Sequence, residues 1–197
     1  FGFGTRTGLK LPGESAGLVR KIKDWVPVDI NMISFGQGIA VTPLQLLTAI
    51  TTIANDGERL KPRIIKHLND HNGLSLKSEP TISLGSVVSK KTADDITEMM
   101  VTVVENGTGQ RVKIPGHRIA GKTGTAQKPK KNGIGYEPKK YISSFVGFFP
   151  ADKPRFSILV TVDSPKKHIW GGTVAGPVFR EVAKRLIDVY DIQPTVF

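Results

Sequence analysis

Arg118-Ile119-Ala120-Gly121-Lys122-Thr123-Gly124-Thr125-Ala126-Gln127 admits two incompatible readings, and the choice between them decides the fold. Taken with the two residues before it, Gly116 to Thr123 matches G-x-x-x-x-G-K-[ST], a phosphate-cradling loop. An apolar run ending at Asp163 could even supply the magnesium-side carboxylate. Such a loop must follow a buried strand and open directly into a helix. Here Arg111-Val112-Lys113-Ile114-Pro115 is too polar and broken for a central strand. The residues that follow, with Gly124, β-branched Thr123 and Thr125, and Pro129, oppose a helix. The stretch therefore reads as a strand. On a strand side chains alternate, so Thr123 and Thr125 share one face as paired hydroxyl donors suited to a carboxylate. Gly124 between them leaves the backbone open to a ligand lying alongside as an added strand. Lys122 places a positive charge at the same edge.

The neighbouring sequence extends this strand into a sheet. Residues 141–149 and 155–163 are also strand-like, separated by a Pro150-Ala151-Asp152-Lys153-Pro154 turn, and Phe156, Ile158, Val160 and Val162 alternate onto one face. Short links between sequential strands favour an antiparallel meander. Thr42 followed by Pro43 predicts a helix that places Leu46, Leu47, Ile50, Ile53 and Ala54 on one buried face, stopped by Asn55-Asp56-Gly57. A second helix, from Ser89 or Thr92 to Glu105, has Ile96, Met99, Met100, Val103 and Val104 at amphipathic spacing and ends at Asn106-Gly107. A third follows Gly171-Gly172, with Pro177 near its start and Val178, Val182, Leu186 and Val189 on a stripe. Residues 1–38 read as a Gly/Pro-rich irregular segment, and 60–89 as short strands alternating with turns such as Asp70-His71-Asn72-Gly73. Helices covering an antiparallel sheet define the expected class: α+β, in α/β/α layers.

Composition narrows the function classes. The 197 residues carry 28 Lys plus Arg against 17 Asp plus Glu, a net charge of +11. Nucleic acid, anionic membrane and acidic polymers all suit such a balance. The lysines, however, are spread or sit in expected loops (Lys128 to Lys131, Lys139-Lys140, Lys166-Lys167), without a helical stripe or aromatic ladder, so no nucleic-acid partner is expected. Cysteine is absent, which excludes disulfides and thiolate metal sites. His67, His71, His117 and His168 lack zinc-site spacing and read as solvated or turn histidines, so no metal and no cofactor are expected. No run reaches the roughly 18 apolar residues of a membrane span. The chain starts at Phe1-Gly2-Phe3-Gly4 without Met, which reads as a segment cut from a longer parent.

Other stretches join the strand motif in a recognisable order. They are Phe1 to Thr5 with Gly8-Leu9 and Leu11-Pro12-Gly13-Glu14-Ser15; Ser34-Phe35-Gly36-Gln37-Gly38 with Thr42-Pro43-Leu44-Gln45; Glu105-Asn106-Gly107-Thr108-Gly109; Phe145-Val146-Gly147-Phe148-Phe149-Pro150; and Gly171-Gly172-Thr173-Val174-Ala175-Gly176-Pro177-Val178-Phe179. In this company Lys122-Thr123-Gly124 resembles the third catalytic motif of the penicillin-binding proteins, which accompanies Ser-x-x-Lys and Ser-Asp-Asn. The whole chain is similar to class B members, above all the division-type peptidoglycan D,D-transpeptidases.

That resemblance implies a serine acyl-transfer enzyme whose substrates are stem peptides ending in D-Ala-D-Ala and which β-lactam antibiotics acylate. It implies that Lys122 tunes the serine, and that Thr123 and Thr125 hold the donor's terminal carboxylate beside Gly124. The Thr125 backbone N–H would form half of the oxyanion hole. Trp170 would be either an aromatic wall near the donor pocket or a core or surface tryptophan, and Gly171 after it is implied to line the same substrate and β-lactam site. The implied setting is a septal, membrane-anchored protein with an extracytoplasmic catalytic domain, working beside divisome membrane proteins.

One departure stands out. No Ser-x-Asn or Tyr-x-Asn occurs, and the one Ser-x-x-Lys, Ser164-Pro165-Lys166-Lys167, follows the lysine strand instead of preceding it. Its proline removes the helical turn that would bring amine to hydroxyl. Residues 1–197 are accordingly expected to be the C-terminal portion of a single transpeptidase domain, completed by a companion N-terminal segment that bears the nucleophile. A catalytically inactive scaffold module of the same fold is the alternative.

Overall fold

Two helix starts follow from local chemistry. The Thr42 hydroxyl accepts from the Gln45 backbone N–H at 3.1 Å, while the Gln45 side chain accepts from the Thr42 N–H at 2.8 Å, a reciprocal cap with Pro43 at the first helical position. Ser89 caps the next long helix by accepting from the Thr92 N–H at 3.1 Å. The computed structural model describes residues 1–9, 11–130 and 135–195. In chain order its elements are α1 (Pro27–Ser34), α2 (Pro43–Ala54), β1 (Glu58–Leu60), β2 (His67–Asn69), β3 (Ser75–Ser78), β4 (Ser83–Ser86), α3 (Lys90–Glu105), β5 (Ala120–Pro129), β6 (Tyr136–Phe149), β7 (Phe156–Asp163), α4 (Gly171–Val174) and α5 (Gly176–Val189).

The central sheet is an antiparallel meander in the order β5-β6-β7. Its register sets Thr123 opposite Phe145 and Phe145 opposite Val160, with Lys122 opposite Val146 on the other face. Each face has its own core. Phe145 and Phe149 pack with Phe179, Ala183, Val112 and Ile119 beneath α5, the Phe145 and Phe179 rings meeting edge-on at 4.8 Å. Ala120 and Phe148 pack on the opposite face with Ile53, Met100 and Val101 from α2 and α3. The result is the expected α/β/α layering, and the Lys-Thr-Gly stretch is strand β5. No helix follows Thr123, so the geometry of a phosphate loop is missing.

Other expectations need correction, each for a physical reason. α1 forms inside the segment read as irregular. Pro27 starts it, and the buried Asp29 carboxylate accepts from the Val26 N–H at 2.7 Å and pairs with Arg20. Its exposed Val28 and Ile30 leave no amphipathic signal to read. The most buried line of α2 is Gln45, Ala49, Thr52 and Ile53, while Leu46, Leu47, Ile50 and Ala54 are half-buried. Gln45 tolerates burial because its amide donates to the Thr5 and Ala16 carbonyls at 2.7 and 2.9 Å.

On α3, Met99 is exposed and Val101 is buried, a stripe rotated from the expected one. On α5 the buried residues are Phe179 and Ala183, joined by Leu186 and Ile187, whereas Val178, Val182 and Val189 are exposed. β6 begins at Tyr136, well before Tyr141, so Lys139-Lys140 lies in a strand and not a loop. Lys128 likewise belongs to β5; Lys131 lies outside the described residues. Between Leu60 and Ser89 the short strands form two antiparallel ladders, β1 with β4 and β2 with β3. The Asp70 carboxylate closes the predicted turn by accepting from the Asn72 and Leu74 N–H groups at 2.9 and 2.8 Å. Gly57 ends α2 with φ +84°, where a Cβ would fall 2.2 Å from the Val88 carbonyl oxygen.

Candidate active site

β5 pairs only with β6 among the described residues, which leaves the second edge of β5 without a partner strand. Lys122 is exposed, on the face turned toward α2 and α3, and its Nζ donates to the Thr123 carbonyl at 3.1 Å. Thr123 and Thr125 are half-buried on the opposite face, as the alternation requires. Gly124 sits between them beside Ser144, whose Oγ would lie 2.4 Å from a Cβ placed there.

Two distant segments brace the threonines from behind. The Gly171 backbone N–H donates to the Thr125 Oγ1 at 3.1 Å. That approach needs glycine, because a Cβ on Gly171 would come within 2.2 Å of the Ser144 carbonyl oxygen and 2.3 Å of that of Gly124. The Ser143 hydroxyl donates to the Ile169 carbonyl, fastening the same loop to β6. With its oxygen already accepting from an amide, Thr125 retains its O–H proton as a donor. The second brace is Thr108, whose hydroxyl lies 2.9 Å from that of Thr123. Sequence reading placed Thr108 inside a recognised stretch without giving it a role. Its signal was the pair of glycines around it, which let the end of α3 fold back toward β5.

Trp170 is 65% exposed, so it is not a core residue. Its carbonyl starts α4 by accepting from the Thr173 and Val174 N–H groups, both at 2.9 Å. The indole therefore stands at the surface immediately before the glycine that touches β5.

Ser164 lies away from this edge, just past the end of β7, which is two strands removed from β5. It occupies a turn at φ 52°, and its hydroxyl donates to the Asp163 carboxylate at 2.6 Å. Lys128 reaches across from β5 to the same carboxylate at 2.6 and 2.8 Å. The Lys128 hydrogen bond, followed by that of Ser164, holds the Asp163 carboxyl below the usual carboxylate range. Asp163 is thus tied into an ion pair instead of facing a phosphate loop. Among the histidines, His117 is buried in the turn before β5, with Nδ1 unpartnered among the described residues. Burial pushes its pKa down.

Known proteins match this chain along almost its full length. Residues 1–184 match the model of the penicillin binding protein transpeptidase domain. The chain is 37% identical over 196 residues to stage V sporulation protein D of Bacillus subtilis, covering 98% of this chain and 30% of that protein. It is 36% identical over 200 residues to the peptidoglycan D,D-transpeptidase FtsI of Buchnera aphidicola, covering 100% of this chain and 33% of that one. The crystal structure of penicillin binding protein 3 from Mycobacterium tuberculosis complexed with ampicillin superposes with a TM-score of 0.87 at 36% identity, covering 98% of this chain and 44% of that one. The chain thus spans about a third of the length of these curated relatives. The family match over residues 1–184, together with relatives at 36–37% identity along almost the whole chain, places the chain in the penicillin-binding protein transpeptidase family.

Proposed function

We propose that this chain forms the lysine-and-threonine wall of a peptidoglycan D,D-transpeptidase. The observation that carries the reading is the free edge of β5, where Lys122 and two braced hydroxyls, Thr123 and Thr125, flank an open Gly124. In this reading a stem peptide ending in D-Ala-D-Ala lies along the edge, with its carboxylate accepting from the two threonines. A serine Oγ attacks the penultimate D-Ala carbonyl, and the Thr125 backbone N–H stabilises the developing oxyanion. The C–N bond breaks, terminal D-Ala leaves with a proton, and the ester carbonyl is then attacked by an amine of a second peptide. That attack forms the cross-link and returns the proton to serine. Lys122, exposed and charged at the same edge, supports the proton transfers. A β-lactam opens its ring amide on the same serine and remains attached.

The serine comes, in this proposal, from a companion segment outside these 197 residues. Ser164 is tied to Asp163 in a Pro-containing turn, which argues against it as nucleophile. Two unfilled surfaces support completion by further chain. The outer edge of β7 has no partner strand among the described residues, and Val178, Val182 and Val189 of α5 are exposed. The similarity to FtsI and to a sporulation protein supports a septal role, with an extracytoplasmic catalytic domain on a membrane-anchored protein that works beside other division proteins. Among the described residues no helix is long and apolar enough to cross a membrane.

Fluorescent penicillin on the full-length protein tests the reading. Peptide mapping should find covalent label on a serine outside residues 1–197. Label on Ser164 would refute the division of labour, and a protein that never takes label would be the scaffold module instead.

A further inference from the structure

Thr108 lies outside the strand motif, yet the end of α3 is shaped to bring it there. The N–H groups of Gly107 and Gly109 both return to the Val103 carbonyl, at 3.1 and 2.9 Å. A Cβ on Gly107 would sit 2.9 Å from that same oxygen, so the fold-back has no room for a side chain before Thr108. Thr108 then faces β5 with its hydroxyl 2.9 Å from that of Thr123. Its carbonyl abuts Gly172, where an added Cβ would come within 2.3 Å of the oxygen. The same Cβ would lie 3.2 Å from the Thr123 methyl carbon. Thr123 is therefore held at its oxygen by Thr108, and its methyl faces the space that Gly172 leaves without a side chain. A β-branched side chain has few χ1 choices, and these contacts select one.

Two hydroxyls joined by one hydrogen bond have one O–H proton left over. Which residue keeps it is set by what lies at the edge. A carboxylate only accepts, so it draws the proton of Thr123 and leaves Thr108 to donate inward to the Thr123 oxygen. Each bond in such a chain polarises the next. We infer that Thr108 is a positioning residue of the β5 edge, donating to Thr123 so that Thr123 donates to the carboxylate of a bound peptide or β-lactam. This rests on the transpeptidase reading above. It gives both strand threonines the same arrangement: each oxygen accepts from behind, Thr125 from the Gly171 amide and Thr123 from Thr108, and each proton points to the ligand.

The test compares acylation of the full-length protein by benzylpenicillin and by its methyl ester, which cannot present a carboxylate. Thr108→Val should slow acylation by the acid about 3- to 10-fold, the worth of one hydrogen bond. The ester rate should change by less than about twofold, and Thr108→Ser should restore the acid rate. Thr108→Ala removes the hydroxyl with less bulk and gives the same acid-to-ester ratio should the valine variant fail to fold. An unchanged acid rate, or equal losses for acid and ester, would overturn the role assigned to Thr108. Failure of the unsubstituted protein to react with either compound is a different result and overturns the transpeptidase reading itself.

Discussion

The Gly171 amide and the Thr125 hydroxyl oxygen, 46 positions apart in sequence, meet at 3.1 Å across the back of the β5 edge. This bond makes a loop after β7 part of the geometry of a strand formed much earlier in the chain. It also explains why the position must be glycine, since the surrounding carbonyl oxygens of Ser144 and Gly124 occupy the space a side chain would need.

Gly171→Ala should therefore push α4 off the sheet and release Thr125. Unfolding experiments should show a loss of about 1–3 kcal/mol, the usual range for overpacking. Acylation should fall further than this loss alone accounts for. A variant with native stability and native acylation would show that the contact is dispensable.

Lys122→Ala separates chemistry from folding. The side chain is exposed and its one hydrogen bond among the described residues is to the neighbouring Thr123 carbonyl, so the melting temperature should hardly move. Acylation of the full-length protein by penicillin should drop about 100-fold, as expected when a group that assists proton transfer is removed. Measuring both quantities on the same preparation decides it, and near-normal acylation would count against the role of Lys122.

Phe145 connects the core to the site. It is fully buried, lies opposite Thr123, packs edge-on to Phe179, and fills the space above Gly121, where a Cβ would come within 2.5 Å of its ring. Phe145→Ala should cost about 3–5 kcal/mol in denaturant unfolding. Phe145→Leu, which keeps most of the volume, should cost less and retain more activity.

His117 gives the fold a pH dependence. Burial lowers its pKa in the native state below the ordinary 6.5, so the native protein favours the neutral ring. As pH falls below about 6.5, the unfolded chain gains a proton that the native chain resists, and stability declines until the native pKa has been passed. Melting temperatures measured from pH 8 to pH 5 should show this decline. His117→Gln should flatten it, and an identical slope in the variant would assign the effect to other groups.

What the sequence revealed about this molecule was local. Thr42-Pro43, Ser89 and Asp70-His71-Asn72-Gly73 act through bonds to residues two to four positions away, so their structures could be read directly. The strand assignment of Lys122 to Gln127 followed from residues that cannot continue a helix. Which way a helix faces is set by its neighbours, and there the reading failed. Val178, Val182 and Val189 share the spacing of a core stripe, but Phe179 and Ala183 reach Phe145 and its surroundings. Met99 and Val101 were exchanged on α3 for the same reason. Gln45 was missed because its burial depends on the Thr5 and Ala16 carbonyls, contacts that no helical period announces. Within the site, Lys122, Thr123, Gly124 and Thr125 were legible as one strand, whereas the Thr108 and Gly171 braces are tertiary contacts.

The glycines around β5 also bear on how such a site can diversify. Gly121, Gly124, Gly171 and Gly172 each face an atom within 2.5 Å of where a Cβ would stand: a β6 side chain at Gly121 and Gly124, and a backbone carbonyl oxygen at Gly171 and Gly172. At Gly171 and Gly172 a side chain would meet backbone that cannot give way. Under the transpeptidase reading, variation in ligand preference would enter instead at outward positions such as Trp170, or through small shifts of the whole strand transmitted from the core. Heritable change of selectivity at this edge is thereby channelled toward a few surface side chains and toward residues that never touch the ligand.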